Sequence, residues 1–122
     1  MATTSTVRYL YKILSSPPPI PISRTLTPVD AADGFIHLST AAQTPETASR
    51  FFGTSSTLWI VKIDLEKLEA GQGELRWEES KNHGVFAHLY GADVAASAVV
   101  EVLEKRRTEG EEWQGLLQGF EV

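Results

Sequence analysis

Cysteine is absent from the 122 residues, which removes disulfide staples, thiolate metal sites and cysteine nucleophiles. Basic residues are scarce, with 11 Lys and Arg against 16 Asp and Glu for a formal net charge of −5. A surface of that sign repels phosphate backbones, so broad nucleic-acid binding is not expected. No stretch approaches the ~20 apolar residues of a membrane helix. The only apolar run near the N-terminus, Val7 to Leu14, is interrupted by Arg8 and Lys12, unlike a secretory signal. Nucleotide loops of the GxGxxG or GxxxxGK type are missing, as is a GxSxG nucleophile elbow; Gly71-Gln72-Gly73 reads as a turn. What remains is an ordinary globular composition, 42% apolar and 22% charged. The length prior gives one domain over residues 1–122, with no internal repeat. The chain reads as soluble, without membrane association, and cytoplasmic by default, with the nucleus left open.

Val7–Leu14 is rich in β-branched and aromatic residues and reads as a strand. The proline-rich stretch 15–24 then forms a stiff connection, because consecutive prolines fix φ and remove donors. Pro18 and Pro21 give a PxxP match, whose commoner meaning is a stiff loop. Thr25–Asp33 is read as turn, and Gly34–Ser39 as a short strand. Thr44-Pro45-Glu46 opens a helix in which Thr44 caps, Pro45 takes the first turn and Gly53 closes the end. Thr57–Ile63 has the pattern of a buried central strand, and Asp64 can cap a short helix through Leu68. Leu75–Glu78 and Val85–Tyr90 are further strands around a polar loop holding His83. Ala92–Arg107 fits a helical stripe, yet Val99–Val102 is equally good strand material. Thr108 and Glu111 form a capping box before a last short helix carrying Trp113, Leu116 and Leu117. Strands and helices alternate irregularly, which favours an α+β domain.

Two of the three histidines share one local frame: Phe35-Ile36-His37-Leu38-Ser39 and Phe86-Ala87-His88-Leu89-Tyr90. Alternate strand residues share a face, so Phe35, His37 and Ser39 oppose Ile36 and Leu38, and Phe86, His88 and Tyr90 oppose Ala87 and Leu89. Each strand thus has an aliphatic side for the core and a side mixing rings, imidazole and hydroxyl. Rings offer a flat wall on which a base can stack, and imidazoles and hydroxyls suit ribose. Histidine also moves protons near neutral pH. After the first strand, Gln43 leads to a helix start whose free N–H groups could hold a phosphate. Against this stands the buried histidine bonded to a main-chain carbonyl, a common arrangement. The three histidines match no metal-ligand spacing, so no metal is assigned. Glu78 beside Trp77 is either a carboxylate shifted by burial into acid/base range or an exposed residue of an edge strand. Lys105-Arg106-Arg107 reads as solvated surface.

The strings Asp33-Gly34-Phe35-Ile36-His37-Leu38-Ser39-Thr40, Gln43, Thr47, Phe51-Phe52, Trp77-Glu78 and Phe86-x-His88-Leu89-Tyr90-Gly91, with Tyr11-Lys12-Ile13-Leu14 at the start, resemble the family called domain of unknown function 952. The likeness spans a core of residues 7–103, with 15–24 as a proline-rich loop and 108–122 as a C-terminal extension. Ala87 departs from the family's usual proline. The resemblance implies an α+β fold similar to the ADP-ribosyltransferase catalytic domain: a split, curved, mostly antiparallel sheet with a few short helices and a cleft between its halves. It also moves the ambiguous segment towards strand at Val99–Leu103. It implies that His37 with Ser39 or Thr40 contacts the ribose of an NAD-type ligand. The site set is then His37, His88 and Glu78 for catalysis, with Ser39, Thr40, Gln43, Phe86 and Tyr90 joining His37 in binding. Glu101 is an alternative acidic residue by chain order. The implied function is nucleotide binding or an ADP-ribosyl or phosphoribosyl transfer; the alternative is a non-catalytic small-ligand or protein-interaction module.

Overall fold

The computed structural model describes residues 7–122. Strands β1 (Tyr9–Leu14), β3 (Thr57–Asp64) and β6 (Val99–Arg106) form one antiparallel sheet, in the order β1-β3-β6. Strands β2 (Ile36–Leu38), β5 (Gly84–Tyr90) and β4 (Glu74–Ser80) form a second, ordered β2-β5-β4. The two meet between β1 and β2 at the Tyr11–Ser39 bridge, with N–H···O bonds of 2.7 and 2.9 Å in the two directions. Beyond that bridge the strands part. Helices α1 (Pro28–Asp33), α2 (Thr44–Phe51) and α3 (Leu65–Glu69) lie in the connections, and α4 (Trp113–Leu116) follows β6. Among the described residues no helix is long and apolar enough to cross a membrane.

Strand alternation builds the core on both sides of β1 and β3. Leu10, Leu14, Val61 and Ile63 face the aliphatic side of the second sheet, meeting Ile36, Leu38, Ala87 and Leu89. Tyr11, Ile13, Leu58 and Ile60 face the other way, onto Ala48 of α2 and Trp113 and Leu117. β3 is central and covered on both faces, which is why its sequence is nearly continuous in apolar residues. The C-terminal extension closes the second core: Phe120 stacks on Tyr11 at 5.2 Å, and Glu121 pairs with Lys62.

Several local expectations change. The segment read as turn contains α1, opened by Thr27, whose Oγ1 accepts from the Asp30 N–H at 3.1 Å, and closed by Gly34 at φ 82°. That is a Thr cap, a first-turn proline and a left-handed glycine end, all written in the sequence. Thr44 does not cap α2; it is the first helical residue, and its hydroxyl donates to the Thr40 carbonyl at 2.8 Å. Phe52, not Gly53, ends that helix. The ambiguous segment is strand, where β6 pairs with β3, preceded by a short 3-10 turn at Ala96–Ala98. Thr108 and Glu111 do form their hydrogen-bonded box, but it shapes the turn ahead of α4, whose cap position is Glu112.

Candidate functional site

The parting of β1 from β2 opens a cavity of about 660 Å3. Its floor comes from the split itself, with Lys12 on one side and His37 and Ser39 on the other, and His88 and Phe86 of β5 behind them. Its mouth is framed by α1, through Pro28, Val29 and Asp33, and by α2, through Thr47, Arg50 and Phe51. A concave site where two sheets separate is a usual place for a small ligand.

His37 and His88 are register partners on adjacent strands, so their rings fall on one face, with centroids 5.2 Å apart and nearly edge to face. The two histidines picked out from distant chain segments therefore stand side by side and border one cavity. Phe35 packs against both, with its ring centroid 4.6 Å from His37 and 4.1 Å from His88, and reaches Tyr90 at 4.9 Å. It braces the imidazoles in their places on the floor.

The two rings are held differently. His37 has a carboxylate at each nitrogen: Asp30 Oδ1 at 2.7 Å from Nδ1 and Asp33 Oδ2 at 2.9 Å from Nε2. A ring can donate to both only as imidazolium; a neutral ring can donate to one. His88 has one carboxylate, with Glu78 Oε1 at 2.7 Å from Nδ1. Tyr90 donates its hydroxyl to the same oxygen at 2.6 Å, which fixes the carboxylate. With Nδ1 donating to Glu78, the neutral His88 ring leaves Nε2 as an acceptor, the tautomer a general base requires. The hydrogen bonds from Tyr90 and from His88 hold the Glu78 carboxyl below the usual carboxylate range, and Glu78 in turn raises Tyr90 above its ordinary value.

Behind His37 lies a buried ion pair. Asp30 and Lys12 are 1% and 5% exposed, with Lys12 Nζ 2.6 Å from Asp30 Oδ2 and 3.1 Å from the His37 carbonyl oxygen. Burial lowers the Lys12 pKa, opposed by the Asp30 charge. Burial pushes Asp30 up, but the hydrogen bonds from His37 and the charge of Lys12 outweigh it, and the net direction is down. Asp30 thus links the β1 lysine to the β2 imidazole and accepts the His37 main-chain N–H at 3.2 Å. Lys12, Asp30 and Asp33 carried no functional assignment from the sequence. The cap signature at Thr27-Pro28 with Gly34 was the available signal, since a helix there brings Asp30 and Asp33 onto one side, next to the following strand.

The remaining expected site residues divide. Ser39 and Phe86 border the cavity. Tyr90 and Glu78 stand behind His88 and act on it. Thr40 and Gln43 serve the turn between β2 and α2: the Gln43 amide oxygen accepts from Thr40 N–H at 3.0 Å and its nitrogen donates to the Val85 carbonyl at 2.6 Å. The start of α2, expected to offer free N–H groups to a phosphate, is covered: Thr44 is fully buried and its N–H donates to the Thr40 carbonyl. Glu101 is exposed on β6 of the other sheet, opposite Lys62, and does not border the cavity. His83 is exposed in the β4–β5 hairpin loop.

Fold and site together define an α+β protein with two antiparallel sheets parted over a cleft, bordered by one histidine on each of two adjacent strands. Residues 22–102 match the model of the family described as "Protein of unknown function (DUF952)", and the chain belongs to that family. The chain is similar to the crystal structure of protein CC0527 from Caulobacter crescentus, at 32% identity and a TM-score of 0.63, over 79% of this chain and 84% of that one. A doubly substituted variant of CC0527 gives 30% identity with the same TM-score and coverage. No curated protein matches.

Proposed function

We propose that the cleft binds an NAD-type nucleotide, with its ribose on the floor. Ser39 takes one ribose hydroxyl and His37 Nε2 takes another in place of the half-exposed Asp33 carboxylate, Phe86 supplies an apolar wall, and His88 exchanges a proton with the ligand while Glu78 orients it. The observation carrying this reading is the pair of imidazoles bordering one open cavity of about 660 Å3, a volume suited to a ligand of nucleotide size. Two sheets joined at one bridge over a cleft also fit the resemblance to the ADP-ribosyltransferase catalytic fold. On that reading the reaction is transfer of an ADP-ribosyl or phosphoribosyl group, with His88 Nε2 as the base that takes a proton from the acceptor.

A second reading is a small-ligand module without turnover. It is favoured by the cavity wall, which among the described residues carries Asp30 and Asp33 but no glutamate to steady a cationic ribosyl centre. Isothermal titration with NAD and ADP-ribose tests both. Saturable binding that is lost in His37→Ala, with the circular dichroism spectrum intact, supports the nucleotide reading. Unchanged binding in that variant, or none in the wild type, overturns it. Release of nicotinamide from NAD that stops in His88→Gln supports transfer; binding with no release supports the module.

A further inference from the structure

α2 has two faces with different duties. Thr44, Pro45 and Ala48 are buried against the second core. Thr47, Arg50 and Phe51 follow the i, i+3, i+4 spacing of one helical stripe, and all three border the cavity. Of the three, Thr47 is half-buried, while Arg50 and Phe51 are exposed. Phe51 is 66% exposed, more than any other aromatic side chain among the described residues. Apolar surface left in water at the mouth of a cleft marks a place of contact. Across the mouth on α1, Val29 is 60% exposed as well.

The charges at this cavity are unevenly committed. Lys12 is buried against Asp30 and the His37 carbonyl, and His37 lies between two carboxylates. Arg50 has no carboxylate partner among the described residues; its guanidinium carbon instead sits 4.6 Å from the centroid of the Phe51 ring. Stacking on a ring orients a guanidinium while leaving its edge N–H groups free, which suits bidentate capture of a phosphate. Asp33, on the α1 side, is half-exposed and repels an anion, directing it to the α2 side. In a chain of net charge −5, an unpaired, pre-oriented arginine at a cavity mouth is a selective feature.

We infer that Arg50, positioned by Phe51, is the phosphate-recognition residue of the cleft, so that the site takes nucleotides and discriminates against the corresponding nucleosides. This rests on the nucleotide reading and adds the anionic group and the residue that reads it. The sugar lies inward towards His37 and Ser39, and the phosphate lies at the mouth. Phe51 is a positioning residue that acts through Arg50.

The test is calorimetric titration of two matched pairs, adenosine with adenosine monophosphate and nicotinamide riboside with its monophosphate. The proteins are the wild type, Arg50→Gln, Arg50→Lys, Phe51→Ala and, as a charge-matched control outside the cavity, Arg24→Gln. A charge-assisted bidentate contact gives the wild type a preference of about 10–100-fold for the phosphorylated member of a pair. Arg50→Gln brings that ratio close to one while nucleoside affinity stays where it was, and Arg24→Gln keeps the wild-type ratio. Arg50→Lys restores part of the preference, and Phe51→Ala lowers it without abolishing it. A wild type that binds both members of each pair equally, or a preference that survives Arg50→Gln, overturns the inference and leaves the nucleotide reading standing. Binding of no member of either pair overturns the inference, and the absence of NAD and ADP-ribose binding as well overturns the nucleotide reading.

Discussion

Asp30→Asn removes the charge that faces Lys12 while keeping an oxygen to accept the His37 main-chain N–H. Lys12, at 5% exposure, must then hold an unpaired ammonium or give up its proton. Giving up the proton sets a ceiling on the loss: against an ordinary lysine pKa of about 10.4, at about 1.36 kcal/mol per pH unit, it costs about 4.6 kcal/mol at pH 7. Breaking one side of a buried pair costs about 3–5 kcal/mol, so the two routes agree. At about 2.1 cal/mol/K of unfolding entropy per residue, each kcal/mol lowers the melting temperature of a chain this long by about 4 °C. The variant should therefore melt about 12–20 °C below the wild type. Its deficit also depends on pH in a definite direction. A lysine lowered in the folded state leaves the unfolded chain holding more protons, so the variant gains stability as pH rises towards about 10.4 and the gap to wild type narrows. Lys12→Met with Asp30→Asn removes both charges and should recover most of the loss. Urea denaturation followed by circular dichroism from pH 6 to 9 measures all of this. A single variant within about 1 kcal/mol of wild type, additive losses in the double variant, or a deficit that does not shrink with pH would refute the reasoning.

Glu78→Gln should leave the melting temperature near that of the wild type, because the carboxylate is half-exposed, yet release the His88 tautomer. Nitrogen shifts of the ring should move away from the Nε2-unprotonated form, and an unchanged tautomer would show that Glu78 does not set it. Since the folded Glu78 carboxyl lies below the usual range, its hydrogen bond to the His88 ring should persist as pH falls through the ordinary glutamate pKa of about 4.3 and be lost only below it. Gly73→Ala places a Cβ 2.8 Å from the Tyr90 carbonyl oxygen and 2.9 Å from Leu89 Cδ1, and should cost about 1–3 kcal/mol in chemical denaturation. Truncation after Gly119 removes the Phe120 ring from Tyr11 and the Glu121 partner from Lys62; a loss of about 1–2 kcal/mol is expected, with ligand affinity at the cleft retained.

The alternation of Phe-x-His-Leu in two segments was enough to place both imidazoles on one side of their strands, because strand parity does not depend on what a strand pairs with. That the two rings would be neighbours was not in that parity; it follows from the His37–His88 register, which the tertiary fold sets. The apolar run at Thr57–Ile63 announced the central strand for the same local reason. Ala92–Arg107 carried two periodicities at once, and pairing with β3 decided for strand where helical spacing was equally good. α1 went unread although Thr27, Pro28 and Gly34 mark its ends, because six residues give too short a window for an apolar stripe. Its omission hid Asp30 and Asp33, and with them the reason His37 is held so firmly. Gln43 and Thr40, expected at the site from the family resemblance and from the helix start they precede, are also bound into the turn they belong to, a main-chain role that residue type alone does not announce.

The central claim is best tested by following the ring resonances of the three histidines during titration with ADP-ribose. His37 and His88 should shift together along one saturation curve, while His83, in the hairpin loop, stays fixed as an internal reference. Saturable binding that moves neither His37 nor His88, or that moves only one of them, would contradict a shared cleft.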